Sequence, residues 1–390
     1  MVFFNRRLNV SEAYKKSIFL FGPRQTGKTY LLKQQFPQSP YYDRLQAQTF
    51  FNLTRRLSLF REECIVHCSE HKLPIIVDEI QKLPLLLDEV QSLIETHRAS
   101  FVLTGSSPRK LKRSGANLLG GRARTRYLFP GVYPEIPDFN LMRVINSGAL
   151  PFVYNSDKPE DDLVAYCGSY LEEEIMAEGL ARRVDCFSRF LQVAALNNAE
   201  LVNLESLARD TGVSPKTVRA YFSILEDSLI GSLLAPYKKT IHRKAVSTVK
   251  FYFFDVGVAN CLAGRRLIEP KTELFGKAFE HFIYSELRAY LSYNSDRRPL
   301  CFWRDRYGQE VDFVIGDDVA LEVKATDQVI EKHLKGIKAF TEEIPCKHRI
   351  VVSTDQQPRI INDILILPWE EFLRRLWAGN FAPEPSRVIQ

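Results

Sequence analysis

A glycine-rich stretch near the start of the chain has the residue types and spacing of a phosphate-binding loop. Residues 18–30 read IFLFGPRQTGKTY, with the pattern Gly-x4-Gly-Lys-Thr between an apolar run and the amphipathic segment YLLKQQF. Glycines let backbone N–H groups point at phosphate oxygens, and the N-terminus of a following helix favours negative charge. The pattern predicts that Lys28 contacts the β- and γ-phosphates of ATP and that Thr29 binds Mg²⁺. The residues expected to contact the nucleotide are Gly22, Pro23, Arg24, Gln25, Thr26, Gly27, Lys28, Thr29 and Tyr30.

Two adjacent carboxylates follow a later apolar run. In KLPIIVDEIQKLP, Asp78 and Glu79 come directly after the segment that ends at Val77. This order predicts a buried strand whose carboxyl end carries Asp78, which would orient Mg²⁺, and Glu79, which would polarise the attacking water. With the phosphate-binding loop upstream, the pair predicts hydrolysis of ATP and not binding alone.

Two further segments carry groups that could act on the γ-phosphate. The apolar run in SFVLTGSSPRKL ends in hydroxyl residues, of which Ser106 is the candidate sensor; a Gly-Ser turn is the alternative. In NLLGGRARTRYLFP, Arg122 follows two glycines, and an arginine there could reach the ATP site of a neighbouring subunit. The alternative for this segment is a solvated basic strand that includes Arg124 and Arg126.

These four motifs together resemble the AAA+-type ATPases in which the ATPase domain precedes a conserved domain of unknown function. The resemblance covers residues ~15–135 through FGPRQTGKT, IIVDEIQKLP, LTGSSPRKL and LLGGRA, and later through PKTVRAYFSILEDSLI and GKAFEHFIYSELR. It implies an open parallel sheet with flanking helices. It also implies a homo-oligomer, for which a ring is one arrangement.

The middle of the chain has the pattern of a helix-turn-helix with a basic wing. In LVNLESLARDTGVSPKTVRAYFSILEDSLI, Gly212 is expected to close one helix and Ser214 to cap the next. The following segment predicts two strands joined by a basic loop. The candidate DNA contacts are Lys216, Thr217, Arg219, Lys238, Lys239, Arg243 and Lys244. A module that binds protein, or only packs between domains, is the alternative.

The last third of the chain carries two carboxylates and a lysine on an expected hairpin. In GQEVDFVIGDDVALEVKAT, Asp312 is followed after nine residues by Glu322 and then by Lys324. Strand pairing would bring them together, and Glu322 and Lys324 would share a face. With Glu280 from an upstream helix, the carboxylates could hold Mg²⁺ through oxygens, and Lys324 could act on the attacking water.

This arrangement resembles the PD-(D/E)xK nuclease superfamily over residues ~272–326. The resemblance rests on Glu280, Asp312, Glu322 and Lys324. It leaves open an active nuclease, a nuclease-like domain that only binds, and a chance match.

Composition and order then give the expected architecture. A chain of 390 residues, 45% hydrophobic and 26% charged, predicts two or three globular domains. We expect an α/β AAA+-type domain over 1–150, a helical and winged helix-turn-helix region over 151–265, and an α/β nuclease-like domain over 266–390. The net charge of +6 suits a polyanionic partner, for which DNA is our expectation.

Several classes of protein are disfavoured by the same numbers. Seven scattered cysteines in a chain of this size indicate reduced thiols and a cytoplasmic protein. We expect no membrane-spanning segment, because uninterrupted apolar runs of ~18 residues are lacking. The favoured function is an ATP-hydrolysing protein that engages DNA; the alternative is a nucleotide-gated signalling or protein-interaction ATPase.

Overall fold

The computed structural model describes residues 4–43, 51, 53–70, 72–109, 111, 119–170, 184–240, 243 and 245–383. It divides the chain into two units. The N-terminal unit comprises Arg6–Pro130 and Asp227–Ile230, and the C-terminal unit comprises Met1–Asn5, Gly131–Glu226 and Gly231–Gln390. Among the described helices, none combines the length and the apolar character that a crossing of the bilayer requires.

The N-terminal unit contains a five-stranded parallel sheet. Its strands are β1 (Ile18–Phe21), β2 (Tyr41–Asp43), β3 (Ile75–Asp78), β4 (Phe101–Gly105) and β5 (Arg124–Tyr127). They lie in the order β2-β3-β4-β1-β5, and each neighbouring pair is parallel. The central strands β1, β3 and β4 are buried along their whole length, because a parallel sheet is covered on both faces. This burial explains why the three strands appear in the sequence as continuous apolar runs.

Three helices of the described residues accompany this sheet. They are α1 (Lys28–Gln35), α2 (Leu57–Glu70) and α3 (Leu86–His97). Helix α3 buries Leu86, Val90 and Leu93, spaced so that they share one face, in the same core as Phe101. A parallel sheet with flanking helices agrees with the α/β class predicted for this part of the chain.

The first part of the C-terminal unit is helical. The α-helices that the structure describes there are α4 (Leu141–Ser147), α5 (Pro151–Tyr154), α6 (Pro159–Ala165), α7 (Val184–Leu196), α8 (Leu204–Thr211) and α9 (Pro215–Asp227). Helix α8 ends at Gly212, whose φ of 70° suits glycine. Ser214 Oγ accepts the Thr217 N–H at 3.1 Å and so caps α9. The turn between α8 and α9 therefore forms where the sequence places it.

An eight-stranded mixed sheet forms the rest of this unit. Its strands are β6 (Gly231–Pro236), β7 (Lys250–Phe253), β8 (Leu300–Arg304), β9 (Glu310–Ile315), β10 (Val319–Lys324), β11 (His348–Ser353), β12 (Arg359–Ile361) and β13 (Ile364–Pro368). They lie in the order β12-β13-β11-β10-β9-β8-β6-β7. The helices of this part are α10 (Val256–Leu262), α11 (Glu273–Tyr293), α12 (Lys335–Thr341) and α13 (Trp369–Trp377).

Two hairpins of this sheet correspond to segments singled out above. Strands β6 and β7 pair antiparallel, as expected for the basic-loop segment, and β6 also pairs with β8. Strands β9 and β10 pair antiparallel, with Leu321 opposite Phe313. One sheet thus joins strands from both sides of residue 265. The three-domain division and the winged-helix assignment stay predictions.

Candidate nucleotide site and a second acidic cluster

The candidate nucleotide site lies at one edge of the parallel sheet. Strands β1, β3 and β4 run in the same direction, so their carboxyl ends meet at this edge. The glycine-rich loop follows β1, Asp78 ends β3, and Thr104 lies near the end of β4. The topology therefore brings together motifs that are far apart in the sequence.

The glycine-rich loop is shaped by close backbone approach. A Cβ atom on Gly22 would lie 2.4 Å from the Leu128 carbonyl oxygen, so only glycine fits there. Gly27 precedes α1 with a φ of 91°. Lys28 is buried, and its Nζ donates to the Gly22 and Pro23 carbonyl oxygens at 2.6 and 3.1 Å. The ammonium group thus lies against the loop whose N–H groups are expected to contact phosphate.

Asp78 is held by three hydroxyl groups. Thr29 Oγ1 donates to Asp78 Oδ2 at 3.1 Å, and Tyr41 also donates to Oδ2. Thr104 donates to the other carboxylate oxygen. Burial and the neighbouring Asp78 raise the pKa of Tyr41, which keeps its phenol a donor. A hydroxyl and a carboxylate side by side fit Mg²⁺, which takes few protein oxygens and completes its shell with phosphate and water.

Glu79 has an unusual backbone that is fixed by hydrogen bonds. Its φ of 55° and ψ of 48° lie in the left-handed region, which costs a non-glycine residue about 1 kcal/mol. Its N–H donates to Asp78 Oδ1 at 3.1 Å and to Thr104 Oγ1 at 3.2 Å. Gln81 donates to the Glu79 carboxylate. These contacts hold the carboxylate that is expected to polarise water at the end of β3.

The other two candidates of this unit have different surroundings. Ser106 is buried beyond the end of β4, and it is Thr104 that contacts Asp78. Arg122 Nη2 lies 2.6 Å from Glu95 Oε1 within the same unit. Arg124 and Arg126 both pair with Glu12, so the alternative interpretation of β5 as a basic strand describes these two residues.

A second acidic cluster forms where hairpin β9–β10 faces helix α11. Asp312 Oδ2 accepts the Val323 N–H at 2.7 Å, and Lys324 Nζ lies 2.5 Å from Glu322 Oε1. Burial raises the pKa of Glu322 well above its ordinary value, with Asp312 acting in the same direction. The hairpin thus brings Asp312, Glu322 and Lys324 together.

Lys250, which sequence reasoning missed, lies in this cluster. Its Nζ is 3.0 Å from Glu280 Oε1 and 2.5 Å from Glu310 Oε1. The Tyr252 hydroxyl donates to Glu280 Oε1 at 2.6 Å. Burial raises the pKa of Glu280 to about 7, although Lys250 acts in the opposite direction. The signal in the sequence was a single lysine within the aromatic strand segment KFYFF.

The magnesium site expected of Glu280, Asp312 and Glu322 stays a prediction. Among the residues that the structure describes, there is no group of three or more His, Cys, Asp or Glu side chains that could hold a metal ion. Glu280 and Glu322 are instead paired with lysines. Ammonium groups thus lie beside two of the three carboxylates from which magnesium binding is expected.

The exposed face of α9 carries part of the candidate DNA surface. Lys216 and Arg219 are exposed there, whereas Thr217 is half-buried and contacts Ser214 Oγ at 2.9 Å. Thr217 therefore contributes to the helix cap.

The candidates in the loop after β6 differ from one another. Lys238 is exposed, Lys239 lies 2.7 Å from Asp317, and Arg243 lies 2.7 Å from Glu342. Lys244 falls outside the described residues. Two of the expected phosphate contacts are thus ion-paired within their own unit.

Comparison with known proteins supports the assignment of the N-terminal unit. Residues 14–136 match the family model described as an AAA domain. Residues 138–268 and 275–372 match two models that are each described as a domain of unknown function, DUF8612 and DUF4143. An uncharacterized protein of Methanocaldococcus jannaschii, MJ1637, is 21% identical over 417 residues, covering 92% of this chain and 85% of that protein.

These matches agree with the coarse part of the resemblance drawn from the motifs. An AAA domain over residues 14–136 supports nucleotide binding and ATPase activity. A domain of unknown function over residues 275–372 agrees with the expected order of domains. The nuclease-like and winged-helix assignments are not tested by these matches and stay predictions.

Proposed function

We propose that this chain is a Mg²⁺-dependent ATPase whose nucleotide cycle controls engagement of DNA. The observation that carries the ATPase part is the hydrogen-bonded edge at which Thr29, Thr104 and Tyr41 hold Asp78 beside the glycine-rich loop. An AAA domain over the same residues supports it.

Each residue of this edge has a role that follows from its chemistry. The ammonium group of Lys28 neutralises negative charge on the β- and γ-phosphates. To reach them, it has to break its hydrogen bonds to the Gly22 and Pro23 carbonyl oxygens. Thr29 and Asp78 would hold Mg²⁺, whose charge stabilises the phosphate oxygens. The Glu79 carboxylate accepts a hydrogen bond from the attacking water and orients this water in line with the γ-phosphate. Gln81 positions the Glu79 carboxylate.

The DNA part of the proposal rests on helix α9. Lys216 and Arg219 lie one turn apart on its exposed face, at the start of the second helix of a helix-turn-helix. This is the position from which such a helix reaches bases and phosphates in the major groove. The two cations are available for phosphate contact, whereas Lys239 and Arg243 would first have to leave Asp317 and Glu342.

Steady-state ATP hydrolysis tests the proposal directly. The rate is measured alone and with duplex, single-stranded and branched DNA at moderate salt. We expect one form of DNA to stimulate the rate. We also expect Lys216→Ala with Arg219→Ala to weaken DNA binding and to reduce the slope of log affinity against log salt by about 2. Lys239→Ala is the matched control, with a smaller effect because Asp317 already compensates that lysine.

A nucleotide-gated interaction ATPase without DNA chemistry is the second candidate. The ion pairs of Lys239 and Arg243 favour it, because they remove two cations from the expected phosphate-contacting loop. This candidate predicts ATP turnover that is indifferent to every form of DNA. It also predicts an unchanged salt slope in the Lys216→Ala, Arg219→Ala double variant.

A further inference from the structure

We propose that Lys250 is the built-in cation of the acidic cluster in the C-terminal unit, and that it takes the place of a divalent metal ion there. The inference concerns a different site from the proposed ATPase, so either can fail without the other. The observation behind it is one buried ammonium group between the carboxylates of Glu280 and Glu310.

Strand β7 directs Lys250 into the cluster. Residues two apart on a strand share a face, and the side chains of Lys250 and Tyr252 both reach Glu280 Oε1. Lys250 pairs with Leu234 of strand β6, and its neighbours on the strand are fully buried aromatic residues. The direction of the side chain is therefore set by the register of the sheet.

The ammonium group is confined on several sides. Only 4% of Lys250 is exposed, and Nζ lies 5.5 Å from the centroid of the Phe302 ring, a cation–π contact. Its two ion pairs, with Glu280 and Glu310, come from a helix and a strand that are separate in the sequence. A lysine so enclosed cannot swing into solvent without separating these pairs, which distinguishes it from Lys324, whose side chain is 31% exposed.

Several carboxylate oxygens of the cluster already accept from cations or from a hydroxyl group. Glu280 Oε1 accepts from Lys250 and Tyr252, and Glu310 is held by Lys250 and, at 3.2 Å, by Arg304. Glu322 Oε1 accepts from Lys324.

Glu322 Oε2 is buried and makes no hydrogen bond. The residues that the structure describes nevertheless contain no group of three or more His, Cys, Asp or Glu side chains that could hold a metal ion. Magnesium and manganese require several oxygens directed at one point, and the positive charge of Lys250 repels a second cation brought beside it.

With Lys250 as its cation, the cluster has a structural role. The carboxylates and lysines hold β7, β9, β10 and α11 together as an electrostatic tie across the sheet. The residues present do not fit a divalent metal ion. Metal-dependent hydrolysis of a phosphodiester is therefore not assigned to this site.

Manganese titration of the nucleotide-free protein tests the inference. Asp78→Asn is introduced throughout, so that the candidate nucleotide site does not contribute. Isothermal titration calorimetry and Mn²⁺ electron paramagnetic resonance then count the bound ions. We expect no Mn²⁺ site in the protein that retains Lys250. In Lys250→Met we expect one site per chain, with an affinity at least tenfold above the weakest binding that the titration can detect. Lys238→Met, which removes an exposed lysine of the same unit, is the matched control and should not gain a site.

Each outcome decides the matter. One Mn²⁺ per chain bound by the protein that retains Lys250, and lost in Glu322→Gln, would overturn the inference without any need for the Lys250 variants. A folded Lys250→Met protein that gains no Mn²⁺ site would overturn it as well. If Lys250→Met does not fold, Lys250→Gln, which still donates hydrogen bonds to Glu280, receives the same titration. A rise in melting temperature on addition of Mn²⁺, seen in the Lys250 variant alone, would support the inference.

Discussion

The two units of this chain use the same kind of residue, a buried carboxylate at the end of or beside a strand, in opposite ways. At the edge of the parallel sheet, Asp78 is held by the hydroxyls of Thr29, Tyr41 and Thr104. In the mixed sheet, Glu280 and Glu310 are held by the ammonium group of Lys250. A hydroxyl group that donates to a carboxylate orients it without neutralising its negative charge, whereas a nearby ammonium group neutralises that charge.

The difference shows why a list of acidic residues does not predict a metal site. A hydroxyl group that donates to a carboxylate carries no net charge, so this hydrogen bond leaves intact the attraction of the carboxylate for a cation that arrives with a substrate. A carboxylate that is paired with a buried lysine is already neutralised, so it attracts an added cation less. The loss of either partner leaves an uncompensated buried charge, which destabilises the fold. Variants of the two units can test this contrast, and the largest effect should come first from the nucleotide site.

The largest effect is expected at the nucleotide site. Glu79→Gln keeps the shape of the side chain but removes the base that orients water, so ATP hydrolysis should fall by about 10³-fold, or about 4 kcal/mol in activation free energy. Lys28→Ala should abolish nucleotide binding or turnover. Phosphate release measures the rate, and retention of labelled ATP distinguishes a trapped complex from lost binding.

The two variants differ in what they should retain. Glu79→Gln is expected to bind ATP and hold it, while Lys28→Ala is not. Glu63→Gln, an acidic residue on helix α2 that contacts Tyr42, is the control and should keep its rate. Turnover at the wild-type rate in both Glu79→Gln and Lys28→Ala would show that the site lies elsewhere.

The part of this contrast that the sequence could predict is local. Lys28, Thr29, Asp78 and Glu79 lie within short motifs, and the parallel strands that carry them are continuous apolar runs. Hairpin β9–β10 could be predicted for the same reason, because its turn is short.

The rest depends on the pairing of distant strands. Tyr41 reaches Asp78 from strand β2, thirty-seven residues upstream, without a spacing that marks it. Lys250 reaches Glu310 because β6 and β7 continue the sheet beyond β8, an order that strand propensity does not determine. The sequence could therefore indicate the acids of the second cluster and not the cation that neutralises them.

A second, smaller effect concerns the response of the C-terminal unit to acid. His281 is fully buried; its Nε2 lies 2.7 Å from the Phe253 carbonyl oxygen, and its Nδ1 lies 3.1 Å from Asn198 Nδ2. Because the carbonyl can only accept and the amide nitrogen can only donate, these contacts fit the neutral ring. Burial lowers the pKa of His281 to about 4.

The sign of the expected effect follows from this lowered pKa. The unfolded chain takes up the proton near pH 6.5 and the folded protein does not, so stability is present above pH 6.5 and is lost as pH falls toward 4. The loss from this group should be about 2 kcal/mol at pH 5. Urea unfolding measures it by tryptophan fluorescence, since Trp303, Trp369 and Trp377 are the three tryptophans of the chain and all belong to the C-terminal unit.

The matched variant is His281→Gln, which keeps an amide donor but cannot take up a proton. It should be less stable than the wild type at pH 7, and the difference in free energy of unfolding should narrow by about 2 kcal/mol by pH 5. A difference that stays constant over this range would show that His281 does not resist protonation.

The smallest effect is expected at Asp78, where a variant tests whether hydroxyl donors hold the carboxylate in place. Tyr41→Phe removes one hydrogen bond to Asp78 Oδ2, which is worth about 1 kcal/mol. The carboxylate is then less well oriented toward Thr29 and Mg²⁺, so the half-saturating Mg²⁺ concentration for ATP hydrolysis should rise about fivefold. At saturating Mg²⁺ the rate should approach that of the wild type. Tyr42→Phe is the control, because the Tyr42 hydroxyl donates to Glu63 at 2.8 Å. An equal loss of rate at all Mg²⁺ concentrations in Tyr41→Phe would mean that the phenol acts on the phosphate chemistry and not on the orientation of the carboxylate.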